Sequence, residues 1–291
     1  PIQGNYMVRG RNRVSSRRTS GLCGYSGGLT VNPIALRMGS LSIRWYGIAY
    51  AVALLAAIGV VKIEVARKGM DLDLNDLIDF VLISFPLGLI GARIFYALFY
   101  LDFFSRNPLA LVGLGGSQGF GLAGLALHGG LIGGFFGLLI FVRWKEVNFW
   151  EYTDCLSPAL ILGQAIGRAG NLLNGDAYGY PTDLPWGLEF PPNTPAGMEF
   201  PGQKLHPTMI YEMILDILIF ALLWKLRKGK HKRGFITSVY LITYSVGRSV
   251  VSFYRAGSLW IGPIRAPHLI SIFIVAGFGY YLIDKELYRL G

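Results

Sequence analysis

Apolar residues along this chain gather into seven runs, at 45–61, 77–101, 121–142, 156–173, 208–226, 235–253 and 267–283. A helix needs about 20 predominantly apolar residues to cross a hydrocarbon core about 30 Å thick. The pattern therefore predicts an all-α polytopic membrane protein with seven transmembrane helices. The fourth run is short and interrupted by glycines, and the stretch 107–127 is too rich in glycine for a plain helix. A re-entrant or broken element is expected there, where protein or water can satisfy the freed backbone. Between the fourth and fifth runs lies a polar segment, 175–207, with prolines at 181, 185, 191, 192, 195, 201 and 207. It is expected to form an arm over the membrane surface. Residues 1–31 are rich in Ser, Gly and Arg and show neither an apolar period nor the apolar core of a secretory signal, so they read as a flexible basic leader. The folded transmembrane domain is placed at 32–291.

Composition agrees with this picture. The 291 residues are 53% hydrophobic and 15% charged, with a mean hydropathy of +0.45. Soluble domains average about 25% charged residues, so an ordinary soluble enzyme and a disordered chain are both excluded. The net charge of +10 gains meaning from its placement. Lys62, Arg67, Lys68, Arg143, Lys145, Arg227, Lys228, Lys230, Lys232, Arg233, Lys285 and Arg289 fall in alternate loops and the C-terminal tail. The intervening loops hold only Arg106, Lys204, Arg255 and Arg265. By the positive-inside rule the C-terminus is cytoplasmic, the N-terminus outside, and the 175–207 arm faces outward. Arg9, Arg11, Arg13, Arg17 and Arg18 of the leader run against that assignment. Most of the surplus is thus a topology marker, and nucleic acid is not an expected partner. Cys23 and Cys155 make no disulfide framework, and the chain shows no metal-ligand spacing, so neither metal nor cofactor is expected.

An ionisable side chain inside a span costs at least about 2.5–3.5 kcal/mol on insertion scales and marks function by default. Arg93, His128, Arg168 and Arg248 stand in that position. Glycines flank His128 at 129, 130, 133 and 134, which suits close approach by substrate or a helix-packing face equally. The stretch 167–179 gathers Arg168, Asn171, Asn174 and Asp176 among glycines at the outward end of the fourth run. A planar guanidinium fork with neutral amide donors suits an anionic phosphate headgroup. Arg248 also falls toward the outward end of its run, and two arginines in one cavity could hold a phosphodiester and stabilise a departing phosphate. Whether they meet is left open by the sequence. An anion or lipid transporter and a non-catalytic lipid-binding membrane protein remain alternatives at this point.

Several motifs occur in order from about residue 32 to the C-terminus. They are Ile43-Arg44-Trp45-Tyr46-Gly47, Gly91-Ala92-Arg93, His128-Gly129-Gly130-Leu131-Ile132-Gly133, Gly167-Arg168-x-Gly170-Asn171-x-x-Asn174, His206-Pro207-Thr208 with Tyr211-Glu212, and Tyr244 four residues before Arg248. Together they resemble the bacterial phosphatidylglycerol–prolipoprotein diacylglyceryl transferases. The resemblance implies a multi-pass enzyme of the bacterial cytoplasmic (inner) membrane. Such an enzyme transfers the diacylglyceryl group of phosphatidylglycerol to the lipobox cysteine of a prolipoprotein and releases glycerol 1-phosphate. It further implies phosphatidylglycerol binding by Arg168, with Arg93, Asn174, Asp176 and Tyr244 as further binding positions. His128, Arg248, Asn171 and Tyr46 are implied for catalysis, with His128 as the base that takes the thiol proton. The chain departs from the family pattern at Asp176, where glutamate is usual, at Ser252, where a glutamate usually follows Arg248 by four, and at Gly257, where an aspartate often follows Arg255.

Overall fold

The structure is a computed structural model and describes residues 34–38, 41–112, 126–257 and 260–289. The basic leader, Cys23 and most of the glycine-rich 107–127 stretch lie outside the described residues. A short hairpin of β1 (Ile34–Met38) and β2 (Leu41–Arg44) leads into α1 (Trp45–Lys68). Then come α2 (Leu74–Phe99), a short α3 (Leu101–Arg106) and a 3-10 turn at Pro108–Val112. These are followed by α4 (Leu127–Trp144) and α5 (Phe149–Asn174). The arm contains β3 (Leu188–Glu189), α6 (Pro195–Glu199) and β4 (Lys204–Leu205). The chain ends with α7 (Thr208–Leu226), α8 (Phe235–Ser252), the hairpin of β5 (Trp260–Ile261) and β6 (Ile264–Arg265), and α9 (Ala266–Asp284).

Local chemistry sets the helix ends. Asp73 and Asp76 form a reciprocal capping box that starts α2, and the Asn148 side chain accepts from the Glu151 N–H to start α5. α1 stops at Gly69, whose φ of 64° lets its N–H turn back to Ala66 and Val65. The seven long helices follow the seven apolar runs, with two differences. The second run breaks at Tyr100, where α2 gives way to α3. The fourth, expected to be short and interrupted, is a continuous helix of 26 residues. Its first turns hold Thr153, Asp154, Cys155 and Ser157, polar or small groups that read as a loop in sequence but are buried against neighbouring helices.

α1 packs along α5, α5 along α7 and α8, α8 along α9, and α2 along α4. The α2–α4 contact is a small-residue interface. A Cβ placed on Gly91 would lie 2.3 Å from the Gly129 carbonyl oxygen, and one on Gly133 would lie 2.0 Å from that of Leu87. Gly137 meets Ser84 in the same way. The glycines after His128 therefore serve helix packing, at least at 129 and 133. Gly91→Ala is expected to force the two helices apart and destabilise the protein by about 1–3 kcal/mol. Thermal unfolding in detergent would check this, and an unchanged midpoint would refute the close approach.

At the end of the bundle carrying Lys68, Trp144 and Leu226, here the lower end, charges tie the helices together. Lys145 bridges Asp76 and Asp79 of α2, and the ion pair with Asp76 raises its ammonium above the ordinary lysine range. Buried Glu64 of α1 pairs with Arg67 and with Arg227, the residue that follows α7. Asp154 accepts from the Gly234 and Thr237 N–H groups and pairs with Lys68. An apolar cluster of Val60, Val65, Leu77, Phe141, Tyr152 and Leu156 joins α1, α2, α4 and α5 near that end.

The partition of side chains is the inverse of a soluble protein's. Glu64, Asp154, Glu212 and Asp216 are buried, while Leu55, Phe85, Leu131 and Phe273 are largely exposed. Large exposed apolar surface of this kind needs an apolar surrounding. Among the described residues four helices, α1, α2, α4 and α9, are long and apolar enough to cross a membrane.

Candidate functional site

At the upper end of the bundle, Glu212 lies in the second turn of α7 and its side chain is 3% exposed. Three arginines from three segments close on it. Arg168, near the end of α5, brings Nε to 2.7 Å from Oε2. Arg248 of α8 pairs with Oε1. Arg255, in the loop after α8, reaches Oε1 at 3.0 Å and Oε2 at 3.1 Å. Burial pulls the Arg255 guanidinium below its ordinary range and Glu212 opposes this. The convergence of Arg168 and Arg248 that sequence leaves open is realised, with a carboxylate between them.

Arg255 is placed by the arm. Gly179 and Arg255 form a β-bridge, with the Tyr180 N–H donating to the Tyr254 carbonyl and the Ala256 N–H to that of Tyr178. A Cβ on Gly179 would lie 2.5 Å from the Tyr254 oxygen, so only glycine lets the strands approach. The arm is itself anchored. Gly175 ends α5 at φ 68°, its carbonyl accepts from the Ala196 N–H, and Thr194 packs against it. Phe190, Ala196, Leu205 and Met209 form a small core beneath. Tyr178 donates to Glu199; burial and then that carboxylate push its phenol up to about 12. The motif residue Thr208 donates to the Ala177 carbonyl, fixing the start of α7 under the arm.

A second set of polar groups continues from Arg168. Its guanidinium reaches the Asn171 side-chain oxygen Oδ1 at 3.5 Å, and the Asn171 side-chain amide nitrogen donates to Asp176 at 2.6 Å. Asn174 donates to the other oxygen of Asp176 at 2.8 Å. The shorter aspartate at this family position thus still accepts from both amides. Tyr46, at the start of α1, hydrogen-bonds Tyr50 at 2.7 Å and lies beside Asn171 and Asp176. Gly170 makes room for it, because a Cβ there would lie 3.3 Å from its ring. Tyr244 stands one turn before Arg248 on α8, facing Arg168, Arg248, Asp216 and Glu212. Six of the nine residues singled out in sequence therefore form one connected group with Tyr244: Arg168, Asn171, Asn174, Asp176, Tyr46 and Arg248.

The remaining two lie elsewhere. Arg93 is buried on α2, where it donates to the carbonyls of Leu111 and Ala110 and lies 5.2 Å over the Phe104 ring. It ties the 3-10 turn at Pro108–Val112 to α2. His128 is exposed in the first turn of α4, its ring 6.1 Å from that of Phe95. It belongs to the α2–α4 pair, whereas the arginines belong to the α5–α7–α8 group.

Glu212 and Asp216, two carboxylates inside the fifth run, carry the same insertion-cost signal as the arginines, and Glu212 is the hub of the site. Arg255 had no such signal: it lies in a loop, and only the arm's strand pairing brings it in. At the family departures, Ser252 is fully buried with no partner for its hydroxyl among the described residues, and Gly257 adopts φ 68°, a turn conformation that aspartate fits less readily. Among the described residues there is no cluster of His, Cys, Asp or Glu that could hold a metal.

A family model described as prolipoprotein diacylglyceryl transferase matches residues 33–283. Among similar proteins, a phosphatidylglycerol–prolipoprotein diacylglyceryl transferase of Clostridium kluyveri is 38% identical over 256 residues, 88% of this chain and 97% of the relative. A protein of the same name from Trichormus variabilis is 38% identical over 247 residues, 82% of this chain and 84% of its own length. Another, from Synechocystis sp., is 37% identical over 267 residues, covering 88% and 91%.

Proposed function

The chain belongs to the prolipoprotein diacylglyceryl transferase family, and on that premise we propose that it moves the diacylglyceryl group of phosphatidylglycerol onto the lipobox cysteine thiol of a prolipoprotein. The observation that carries the reading at the level of residues is the meeting of Arg168 and Arg248, from separate helices, on one buried glutamate. In this reading the phosphodiester lies against the arginines, which present charge-assisted donors on either side of Glu212. Asn171, Asn174, Asp176, Tyr46 and Tyr244 orient the glycerol headgroup.

The thiol loses its proton to His128, and sulfur attacks the glycerol carbon that bears the phosphate. The carbon–oxygen bond breaks with its electrons on the phosphate oxygen, leaving a thioether and glycerol 1-phosphate. The arginines stabilise the charge that grows on that oxygen. The anionic lipid and the peptide bridge the distance between the α2–α4 pair, which carries His128, and the group that carries the arginines. Arg93 supports the site from a distance by holding the 3-10 turn at Pro108–Val112.

The seven long helices are proposed as seven spans of the bacterial cytoplasmic membrane, with the lower, lysine- and arginine-rich end in the cytoplasm and the 175–207 arm outside. This orientation rests on the positive-inside distribution of charge. Residues 32–291 form the catalytic domain, preceded by the basic leader.

The test is direct. Purified protein in phosphatidylglycerol vesicles is mixed with a peptide carrying a lipobox cysteine. Formation of glycerol 1-phosphate and a diacylglyceryl peptide in equal amounts is expected. Lipid binding without either product, or movement of lipid without chemistry, would overturn the proposal in favour of a binding protein or a transporter.

A further inference from the structure

Of the four cations that sequence counts in the sparsely charged loops, Arg255 enters the cluster and Arg265 follows it in the same loop. Arg265 immediately precedes α9, and its side chain reaches across to the end of α8, where it donates to the carbonyl of Ser252. A cation is favoured there by the negative end of the helix dipole and disfavoured at the start of α9, from which its backbone departs. The guanidinium also lies 5.1 Å from the centre of the Trp260 ring and 5.8 Å from that of Tyr180 in the arm. Both are within range of a cation–π attraction. One side chain thus touches the end of α8, the β5–β6 hairpin and the arm.

These contacts bracket Arg255. The chain leaves α8 at Ser252 and enters α9 after Arg265, so the Arg265–Ser252 bond closes the segment that carries Arg255 into a loop. Tyr180, whose ring faces Arg265, donates its N–H to the Tyr254 carbonyl at 3.0 Å, and the Ala256 N–H donates to the Tyr178 carbonyl at 3.2 Å. Arg255 is the residue between those two pinned neighbours, and its guanidinium meets both oxygens of Glu212. We propose that Arg265 is a positioning residue: it clamps this loop to the arm and so sets the third guanidinium on Glu212. Its bearing on substrate rests on the reading of the arginine cluster as the headgroup site. A flat guanidinium can donate to a carbonyl and face two rings at once, which an ammonium cannot. Released from the clamp, Arg255 keeps its charge and loses its place, and the headgroup meets two arginines where it would have met three.

The test uses the purified full-length protein in detergent and has two readouts. The first is amide hydrogen exchange without lipid. Arg265→Gln is expected to speed exchange of the Tyr180 and Ala256 amides about tenfold, the worth of two cation–π contacts at a partly exposed site, and to leave α2 and α4 unchanged. The second is affinity for glycerophosphoglycerol, the soluble headgroup of phosphatidylglycerol. Arg265→Gln should weaken it about fivefold, since only molecules with the loop in place present all three arginines. In an Arg255→Gln background the same change should matter less than about twofold, because its route to the headgroup is already gone. A merely structural role predicts faster exchange throughout the protein and losses that add. Unchanged exchange in folded Arg265→Gln protein, or additive losses, would overturn the proposal. If Arg265→Gln does not fold, Tyr180→Leu removes one ring face and leaves the bond to Ser252; exchange at Ala256 about threefold faster is then expected, and no change overturns the proposal. Faster local exchange with no headgroup binding by any of the proteins would count against the proposed function and leave the positioning standing.

Discussion

Replacing Glu212 with Gln is expected to abolish transfer and to lower the stability of the folded protein by about 3 kcal/mol, the lower end of the cost of stranding buried charges. The lower end applies because Arg168, Arg248 and Arg255 keep about a fifth of their side chains exposed, which leaves some hydration available. Glutamine fills the same space and can still accept from one guanidinium, so the loss isolates the charge. Three cations then share one pocket without the carboxylate that joins them, and the like charges push α5, α8 and the loop carrying Arg255 apart. The measurement is thermal unfolding in detergent beside a transfer assay, with Glu212→Asp as the control that retains charge. Lowered stability in Glu212→Gln with substantial recovery in Glu212→Asp is expected. A Glu212→Gln protein as stable and as active as the wild type would remove Glu212 from the centre of the site.

His128→Gln is expected to lower the transfer rate by a factor of about 10²–10⁴, the range for loss of a positioned general base. Stability should hold, because the imidazole is exposed in the first turn of α4 and its described contact is a ring contact with Phe95. Lipid binding should hold as well, since the arginine cluster is on other helices. The pH dependence provides a second readout. A free cysteine thiol ionises near pH 8.5, so a variant without its base should regain rate as pH rises through that range and the substrate ionises unaided. Near-normal transfer by folded His128→Gln protein, or loss without recovery at high pH, would assign proton removal to another group.

Much of the fold was legible because apolar runs and helices coincide in a chain whose exterior is apolar. The boundaries of α7 and α8 lie within a residue of their runs. α5 was the exception, and for a physical reason: its first two turns bury Thr153, Asp154 and Ser157 against Thr237 of α8, so their polarity reports helix–helix hydrogen bonding rather than a boundary. Of the site, Arg168, Asn171, Asn174 and Asp176 were legible as a local cluster, since they fall within nine residues of chain. Glu212 and Asp216 were visible in principle as carboxylates inside an apolar run. Arg255 was not, because its place depends on a strand pairing between segments more than seventy residues apart, Gly179 and Arg255. Sequence leaves the role of the glycines after His128 open, and the close approach of Gly129 and Gly133 to α2 decides it at those two positions.

The four helices that are apolar enough to cross a membrane by themselves are α1, α2, α4 and α9, and the three other long ones, α5, α7 and α8, are those that carry the arginine cluster. This has a consequence for how the protein is made. In the seven-span reading, α5 leaves the ribosome with Arg168 well before Glu212 exists, and α7 then brings two carboxylates ahead of Arg248. None of the three is a good passenger for lipid until its countercharges arrive. Their countercharges lie on one another, so they are expected to enter the bilayer as a group rather than singly. On the proposed reading, the residues that would hold the headgroup also supply one another's countercharges, which lets α5, α7 and α8 leave water together.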